Sequence, residues 1–213
     1  MIGKNLLFLL LIVSIIGNMF TLFKFLEYKR KVTIVFSEQK NSIRDIEELL
    51  ATTRDNFQQS LSLQFRYDDY SINPDASLIA LDDSKLFLKT AIDSGTKLIY
   101  RITTNSCDVC YDKITEKLKY ACDLIGASNV IVILPIKEMR KTISAFKDQA
   151  IYAKVFAVNE EDALGIPLEN STSPFFFTVN ESFKINNLLI PHKNGAEVTE
   201  DYINQIFIRY FEK

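Results

Sequence analysis

The chain has 213 residues, of which 47% are hydrophobic and 24% charged, and 25 basic against 27 acidic residues give a formal net charge of −2. This balance excludes collagen-like and low-complexity chains and argues against wholesale disorder. Because no basic excess is present to neutralise phosphates, we expect no nucleic-acid partner. The single histidine excludes a multi-histidine metal site, and three cysteines are too few for a disulfide scaffold.

The first predicted element is a membrane anchor with a basic flank at residues 1–30. Residues 5–23 carry no charge, and at about 1.5 Å per residue a helix of this length just crosses a hydrocarbon core of roughly 30 Å. A cleaved signal peptide is the alternative, but cleavage needs small residues in an A-x-A-like pattern and the first alanine is Ala51. We therefore predict an uncleaved signal-anchor with residues 5–23 in the lipid bilayer.

Two rules give opposite orientations for this anchor. Lys24, Lys29, Arg30 and Lys31 follow the uncharged run, and the positive-inside rule alone would keep the C-terminal side in the cytosol. However, long C-terminal domains translocate largely regardless of flanking charge, and a short N-terminal tail commonly stays inside. We therefore expect a single-pass membrane protein with an extracytoplasmic domain.

A helical stalk is predicted next, at residues 31–63, which contain no glycine or proline. Residues spaced by three and four form a heptad-like seam. The seam consists of Phe36, Gln39, Ile43, Ile46, Leu50, Thr53 and Phe57. It spans only about three heptads, near the lower limit for a coiled coil. Two interpretations stay open: an amphipathic helix lying on its own domain, and a stalk that forms a homodimer.

The remaining residues, 64–213, form one domain of alternating predicted strands and helices. Strands are predicted at 63–70, 97–103, 130–134, 152–158, 175–179 and 184–190. Helices are predicted at 108–125, ended by Gly126, at 136–148, and at 199–210 with Thr199 as the N-cap. This alternation indicates an α/β fold with helices on both faces of the sheet, and the final hairpin makes the sheet mixed.

The motif that carries chemistry is Cys107-Asp108-Val109-Cys110, between a predicted strand and a predicted helix. A thiol at a helix N-terminus faces unpaired N–H groups and the positive end of the helix dipole, and both stabilise the thiolate. We predict Cys107 as the exposed nucleophile and Cys110, one turn further, as the resolving thiol. A C-x-x-C motif near βαβ patterning is a redox signal.

Other interpretations of the cysteine pair stay open. The two cysteines can be a buried pair, or half of a zinc site that Cys122 and His192 would complete. Cys122 falls on the apolar face of the predicted helix and His192 in a predicted loop. Zinc therefore ranks below redox chemistry, and we expect no metal and no cofactor.

This pattern resembles the thioredoxin superfamily, and more narrowly the membrane-anchored TlpA-type thiol–disulfide oxidoreductases of bacterial envelopes. The similarity covers residues 78–210: a strand before the C-x-x-C motif, a helix after it, an extra strand–helix–strand unit, and a Ser173-Pro174 loop before the last hairpin and helix. It implies a thioredoxin-like mixed sheet flanked by helices, a periplasmic domain, and protein thiols or disulfides as partners. It also implies a cis Pro174 that faces the cysteines, with Ser173 presenting its backbone to a partner strand.

The sequence departs from this family at four places. Ser106 replaces the usual tryptophan, Asp108-Val109 contains no proline, Thr115 stands in place of the helix proline, and Arg101 replaces a buried acid. A carboxylate beside a thiol disfavours the thiolate and a guanidinium favours it, so Asp108 and Arg101 are candidates for tuning Cys107.

Three functions follow from these residues. The first is a dithiol–disulfide exchanger in which Cys107 attacks a partner disulfide and Cys110 resolves the mixed disulfide. The second is a non-catalytic binding module, which the departures favour and the two retained cysteines disfavour. The third is a peroxiredoxin-like peroxidase, because Thr104-Asn105-Ser106-Cys107 fits T-x-x-C, although Tyr100 stands where that family has proline.

Overall fold

The computed structural model describes residues 2–103, 112–159, 163–171, 173–191 and 196–212, and residues 2–14, 56, 112, 113 and 196 by their backbone alone. The cysteine motif at 107–110 and His192 lie outside the described residues, so the predictions made for them stay predictions. The chain divides into two compact units, residues 1–55 and 56–213.

Helix α1 spans Ile2–Tyr67, forms the first unit and supplies the start of the second. Residues 31–63 contain neither glycine nor proline, so nothing in that segment interrupts the helical hydrogen bonds. Exposed ion pairs join Glu27 to Lys24 at 3.2 Å and to Lys31 at 2.9 Å, about one turn away on either side. Among the residues whose side chains the structure describes, which in α1 begin at Ile15, no helix is both long and apolar enough to cross a membrane.

The strand expected at 63–70 is wrong, because α1 continues to Tyr67. Leu63 and Tyr67 pack in the same apolar cluster, whereas Phe65 between them is 84% exposed. A helix places residues i and i+4 on one face, and over so short a segment the same pattern also alternates with a period of two. Packing against the second unit's own core decides between the two periods.

The second unit is built on one mixed sheet of seven strands. They are β1 (Ser77–Ile79), β2 (Lys85–Phe87), β3 (Lys97–Arg101), β4 (Val130–Pro135), β5 (Lys154–Val158), β6 (Phe175–Val179) and β7 (Ile185–Leu189), in the order β2-β1-β5-β4-β3-β6-β7. β3, β4 and β5 run parallel, while β1 pairs antiparallel with β5 and β6 pairs antiparallel with β3. The predicted mixed sheet is confirmed, and the predicted strands between 97 and 190 agree with these bounds to within two residues.

Helices cover both faces of this sheet, as predicted. They are α2 (Leu88–Ala91), α3 (Asp112–Ile125), α4 (Met139–Asp148) and α5 (Ala196–Tyr210). One face, with Leu98 and Tyr100, lies under α3, α4 and α5; the other, with Ile99, lies under α2, the end of α1 and the segment 164–168. Successive strand residues point to opposite faces of the sheet. Since helices cover both faces, every residue of β3 and β4 is buried.

The helix ends agree with the sequence in one case and differ in another. Gly126 ends α3 with φ +90°, and its N–H donates to the Cys122 carbonyl at 3.1 Å, which confirms the predicted stop. Thr199, however, lies inside α5 and is buried on the side of Ile203, one turn later, so the N-cap predicted there is wrong. A threonine before an acidic stretch is typical of a helix start, but here its small side chain fits the buried face.

A β-bulge in β7 joins the hairpin to the last helix. The register shifts between Phe176 and Thr178, and the extra residue, Asn187, has φ +53°. Its side-chain amide donates to Thr178 Oγ1 at 2.9 Å and to the Tyr210 hydroxyl at 2.8 Å, and its backbone carbonyl accepts from the Tyr202 hydroxyl. Asparagine suits this position because it tolerates a positive φ and carries both donors and an acceptor.

We expect Asn187→Ala to lower the free energy of unfolding by about 2–3 kcal/mol, since alanine is strained at positive φ and the side-chain hydrogen bonds to Thr178, Tyr210 and Arg209 are lost. Asn187→Gly loses the same hydrogen bonds without the strain and should cost less. Urea unfolding of the three chains measures both values. Equal losses for alanine and glycine would show that the backbone conformation contributes nothing.

Candidate functional site

The predicted site residues that the structure describes meet at one edge of the sheet. β3 pairs antiparallel with β6, and the last pair in register joins Arg101 to Phe175. Residues 102–103, which follow β3, and residues 173–174, which precede β6, therefore lie at the same edge. The C-terminal end of β3 and the Ser173-Pro174 loop are thus brought together.

The cysteine motif follows this edge in the chain. The chain is described up to Thr103, which is buried, and again from Asp112, the first residue of α3. Cys107, Asp108 and Cys110 lie outside the described residues. Their roles as nucleophile, tuning residue and resolving thiol therefore remain predictions from the sequence.

Ser173 and Pro174 form the turn into β6. Ser173 is half-buried and Pro174 is buried, and the Ser171 hydroxyl donates to the Ser173 carbonyl at 3.2 Å. No cis peptide bond occurs among the described residues, these two included, so the cis bond expected before Pro174 is wrong. A trans proline is accepted here because it directly precedes a strand, where its missing N–H interrupts no ladder hydrogen bond.

Arg101 is turned into the molecule and bound to a carboxylate that the sequence analysis did not identify. Its side chain is 1% exposed, and its Nε–H donates to Glu169 Oε1 at 2.7 Å. Its Nη1–H donates to the Ile102 carbonyl, also at 2.7 Å. Arg101 therefore acts at this edge as half of an ion pair, not as an isolated cation.

Glu169 lies in the 3₁₀ turn Pro167–Asn170, and its side chain is fully buried. Its second oxygen accepts from the N–H of Leu164 at 2.9 Å and, more weakly, from the N–H of Ile166 at 3.3 Å. Burial raises the pKa of Glu169, while the Arg101 guanidinium and the two backbone N–H groups oppose that rise. One carboxylate thus binds both the backbone of the 164–169 segment and the Arg101 side chain of β3.

A local signal for Glu169 does exist in the sequence. Proline followed two residues later by glutamate is typical of a helix start, where the glutamate accepts a backbone N–H of the preceding turn. The signal locates the turn, but it says nothing about Arg101, which is 68 residues away in the chain. Only the antiparallel pairing of β3 with β6 brings the two side chains together.

Cys122 packs on the apolar face of α3, as predicted, among Leu118, Ala121 and Ile125. Burial raises the pKa of its thiol to about 11, so it is protonated and unreactive in the folded chain at neutral pH. Among the described residues, no group of three or more histidine, cysteine, aspartate or glutamate side chains is arranged to hold a metal ion.

No protein-family model matches the chain, and no curated protein matches it in sequence. Solved structures do match it. A mutant of Xylella fastidiosa PrxQ is 9% identical with a TM-score of 0.50, over 67% of this chain and 96% of that one. A thioredoxin-family thiol:disulfide interchange protein from Chlorobium tepidum TLS is 12% identical with a TM-score of 0.46, over 63% of this chain and 94% of that one. Peroxidoxin BcpB from Mycobacterium tuberculosis is 8% identical with a TM-score of 0.48, over 66% and 97%.

At identities this low, the likeness to PrxQ concerns the fold alone. It agrees with the sheet, in which β4 and β5 lie parallel to β3 on one side and the antiparallel β6–β7 hairpin lies on its other side. The second unit therefore has a thioredoxin-like fold.

Proposed function

We propose that the chain is a membrane-anchored, thioredoxin-like thiol–disulfide oxidoreductase that exchanges disulfides with partner proteins. The observation that carries this proposal is the chain position of the C-x-x-C motif: it lies between β3, whose C-terminal end is at the edge where Ser173 and Pro174 lie, and α3. A thiol pair at the end of a strand and the start of a helix is in the setting that lowers a thiol pKa.

The exchange needs no cofactor. The Cys107 thiolate attacks one sulfur of the partner disulfide, and the other partner sulfur leaves as a thiolate. Cys110, once deprotonated, then attacks Cys107 in the mixed disulfide and releases the second partner thiolate. Two electrons pass from the dithiol to the partner, and the reverse sequence oxidises the partner. The potential of the pair against its surroundings decides the direction.

The partner groove is proposed at Ser173 and Pro174, where an extended segment of the partner would lie against the half-buried Ser173. Asp108 is proposed to disfavour the Cys107 thiolate. Arg101 contributes less than a lone guanidinium would, because its charge is matched by Glu169 at 2.7 Å.

The test is the trapping of a mixed disulfide by single-cysteine variants of the full chain in detergent. Reduced Cys110→Ser, mixed with a synthetic peptide that holds one intramolecular disulfide and then treated with iodoacetamide to block the freed peptide thiol, should give a covalent adduct at Cys107, because no protein resolving thiol remains. Cys107→Ser should form little adduct. Cys122→Ala is the matched control and should behave as the wild type, since that thiol is buried.

Other results point to other functions. An adduct that forms only in Cys107→Ser would reverse the two roles. A pair that exchanges should have a potential between roughly −120 and −270 mV, and one reduced only below about −300 mV would indicate a structural disulfide and a binding module. Rapid consumption of hydrogen peroxide by the reduced chain would indicate the peroxidase.

The anchor is proposed at residues 5–23, which are uncharged, with the second unit on the periplasmic side of a bacterial envelope. After expression in bacteria, the full chain should resist alkaline extraction from membranes, and a chain without residues 2–30 should be released. Protease added to the periplasmic side should digest the second unit. Protection of that unit would place it in the cytosol.

We also propose that the seam of the stalk joins two copies of the chain. Phe36, Ile43, Ile46 and Leu50 are 68%, 57%, 56% and 63% exposed, and they recur every three, four or seven residues on one helix. A second copy presents the same row, and parallel packing would bury both. Sedimentation equilibrium in detergent should give a dimer that Ile46→Asp converts to a monomer; a monomeric wild type would contradict the proposal.

A further inference from the structure

We propose that Arg101 and Glu169 form a positioning pair that sets where the Ser173-Pro174 segment lies against the end of β3, and thereby how a partner's backbone is received. The inference rests on the proposed disulfide exchange and assigns a role in it to two residues that do not themselves react. The two side chains belong to the two chain segments that lead to the site. Arg101 is the last residue of β3, and Glu169 lies four residues before Ser173.

The hydrogen bonds of Glu169 make one rigid junction. One carboxylate oxygen accepts from Arg101, and the other accepts from the backbone of Leu164 and Ile166. Arg101 in turn donates to the Ile102 carbonyl at 2.7 Å, so its guanidinium is also held to its own strand. Two chain segments are therefore connected through directional, charge-assisted bonds immediately before the point where both reach the site.

Burial of the segment does not by itself require charges. Leu164, Ile166 and Leu168 already bury this turn against Ile133 and Phe175 on the sheet. Replacing a buried ion pair by apolar side chains of similar volume is often neutral or stabilising, because two charges no longer have to be desolvated. Apolar contacts are not directional. They bury the turn, but they do not fix its position along β3. The pair therefore contributes geometry at the groove more than stability.

The test compares two disulfides in single-turnover reactions of the reduced full chain in detergent. One is the peptide with an intramolecular disulfide, which has a backbone to place at 173–174. The other is 5,5′-dithiobis(2-nitrobenzoate), which has none. Each reaction takes two electrons from the dithiol and leaves the protein disulfide. The variants are Glu169→Gln and, because a half-broken pair can unfold the chain, the apolar double variant Arg101→Met/Glu169→Leu. Glu181→Gln is the control, since that carboxylate is exposed in the β6–β7 turn.

For both variants we expect the half-saturating peptide concentration to rise about tenfold, the equivalent of 1.4 kcal/mol of binding. In the double variant, which removes both charges together, the limiting rate, the potential of the pair and the rate with the small disulfide should stay as in the wild type. An equal fall with both disulfides would overturn the inference, because the pair would then act on the thiol. Unchanged kinetics in a folded double variant would also overturn it. A wild-type chain that reduces neither disulfide would overturn the proposed exchange itself, and the inference with it.

Discussion

Glu169→Leu is expected to lower the free energy of unfolding by about 3–5 kcal/mol, the cost of leaving one buried charge without its partner. The leucine removes the carboxylate that binds Arg101 at 2.7 Å, so the guanidinium, 1% exposed, loses this ion pair. The N–H groups of Leu164 and Ile166 lose their acceptor as well. Urea unfolding followed by the near-ultraviolet circular dichroism of the tyrosines measures the change.

The double variant Arg101→Met/Glu169→Leu separates the charge from the packing. It removes both charges and keeps apolar volume, so most of the lost stability should return. Glu181→Gln, an exposed change, should stay within about 0.5 kcal/mol of the wild type. A double variant as unstable as Glu169→Leu alone would mean that the hydrogen bonds of the turn, and not the broken ion pair, account for the loss.

Phe176→Ala is expected to cost about 3–5 kcal/mol, the range for truncating a fully buried aromatic side chain. Phe176 in β6 is 0% exposed. The centroid of its ring lies 4.4 Å from the ring centroid of Tyr100 and 6.2 Å from that of Tyr202. Phe176 thus packs between β3 and α5, and alanine would leave a cavity between them. The midpoint of urea unfolding reports the loss.

Phe87→Ala is the matched control. Phe87 is 49% exposed on the edge strand β2. Lys89 Nζ lies 5.2 Å from the centroid of its ring. Its truncation should cost less than about 1 kcal/mol. Similar losses for the two phenylalanines would show that the Tyr100–Phe176–Tyr202 stack is not a tightly packed part of the core.

The candidate site was predictable in part. The C-x-x-C motif, Ser173 and Pro174 are local features, and the resemblance to the thioredoxin superfamily, not the alternation of strands and helices, led us to expect 173–174 at the site. The partner of Arg101 was not predictable, because Glu169 is far along the chain and carries no mark of a buried charge. The conformation of the bond before Pro174 was predicted wrongly, since the resemblance supplied it and no residue of the turn did.

Local sequence was enough to locate most elements of residues 97–210, because their apolar patterns are long and each has one period. β4 is an unbroken apolar run since both of its faces are covered, and Gly126 ends α3 since only glycine adopts its φ of +90° without strain.

Long-range packing was needed at three other places. The sequence of residues 63–67 is compatible with a strand or a helix, and packing on the core selects the helix. Thr199 is compatible with a helix cap or with a buried helix face, and the packing of α5 selects the buried face. From the sequence, Arg101 is a candidate for tuning the pKa of Cys107, whereas in the fold strand pairing brings Glu169 to it and the two form an ion pair. In each case the local free-energy difference between the two conformations is small, and contacts between residues distant in the chain contribute more than that difference.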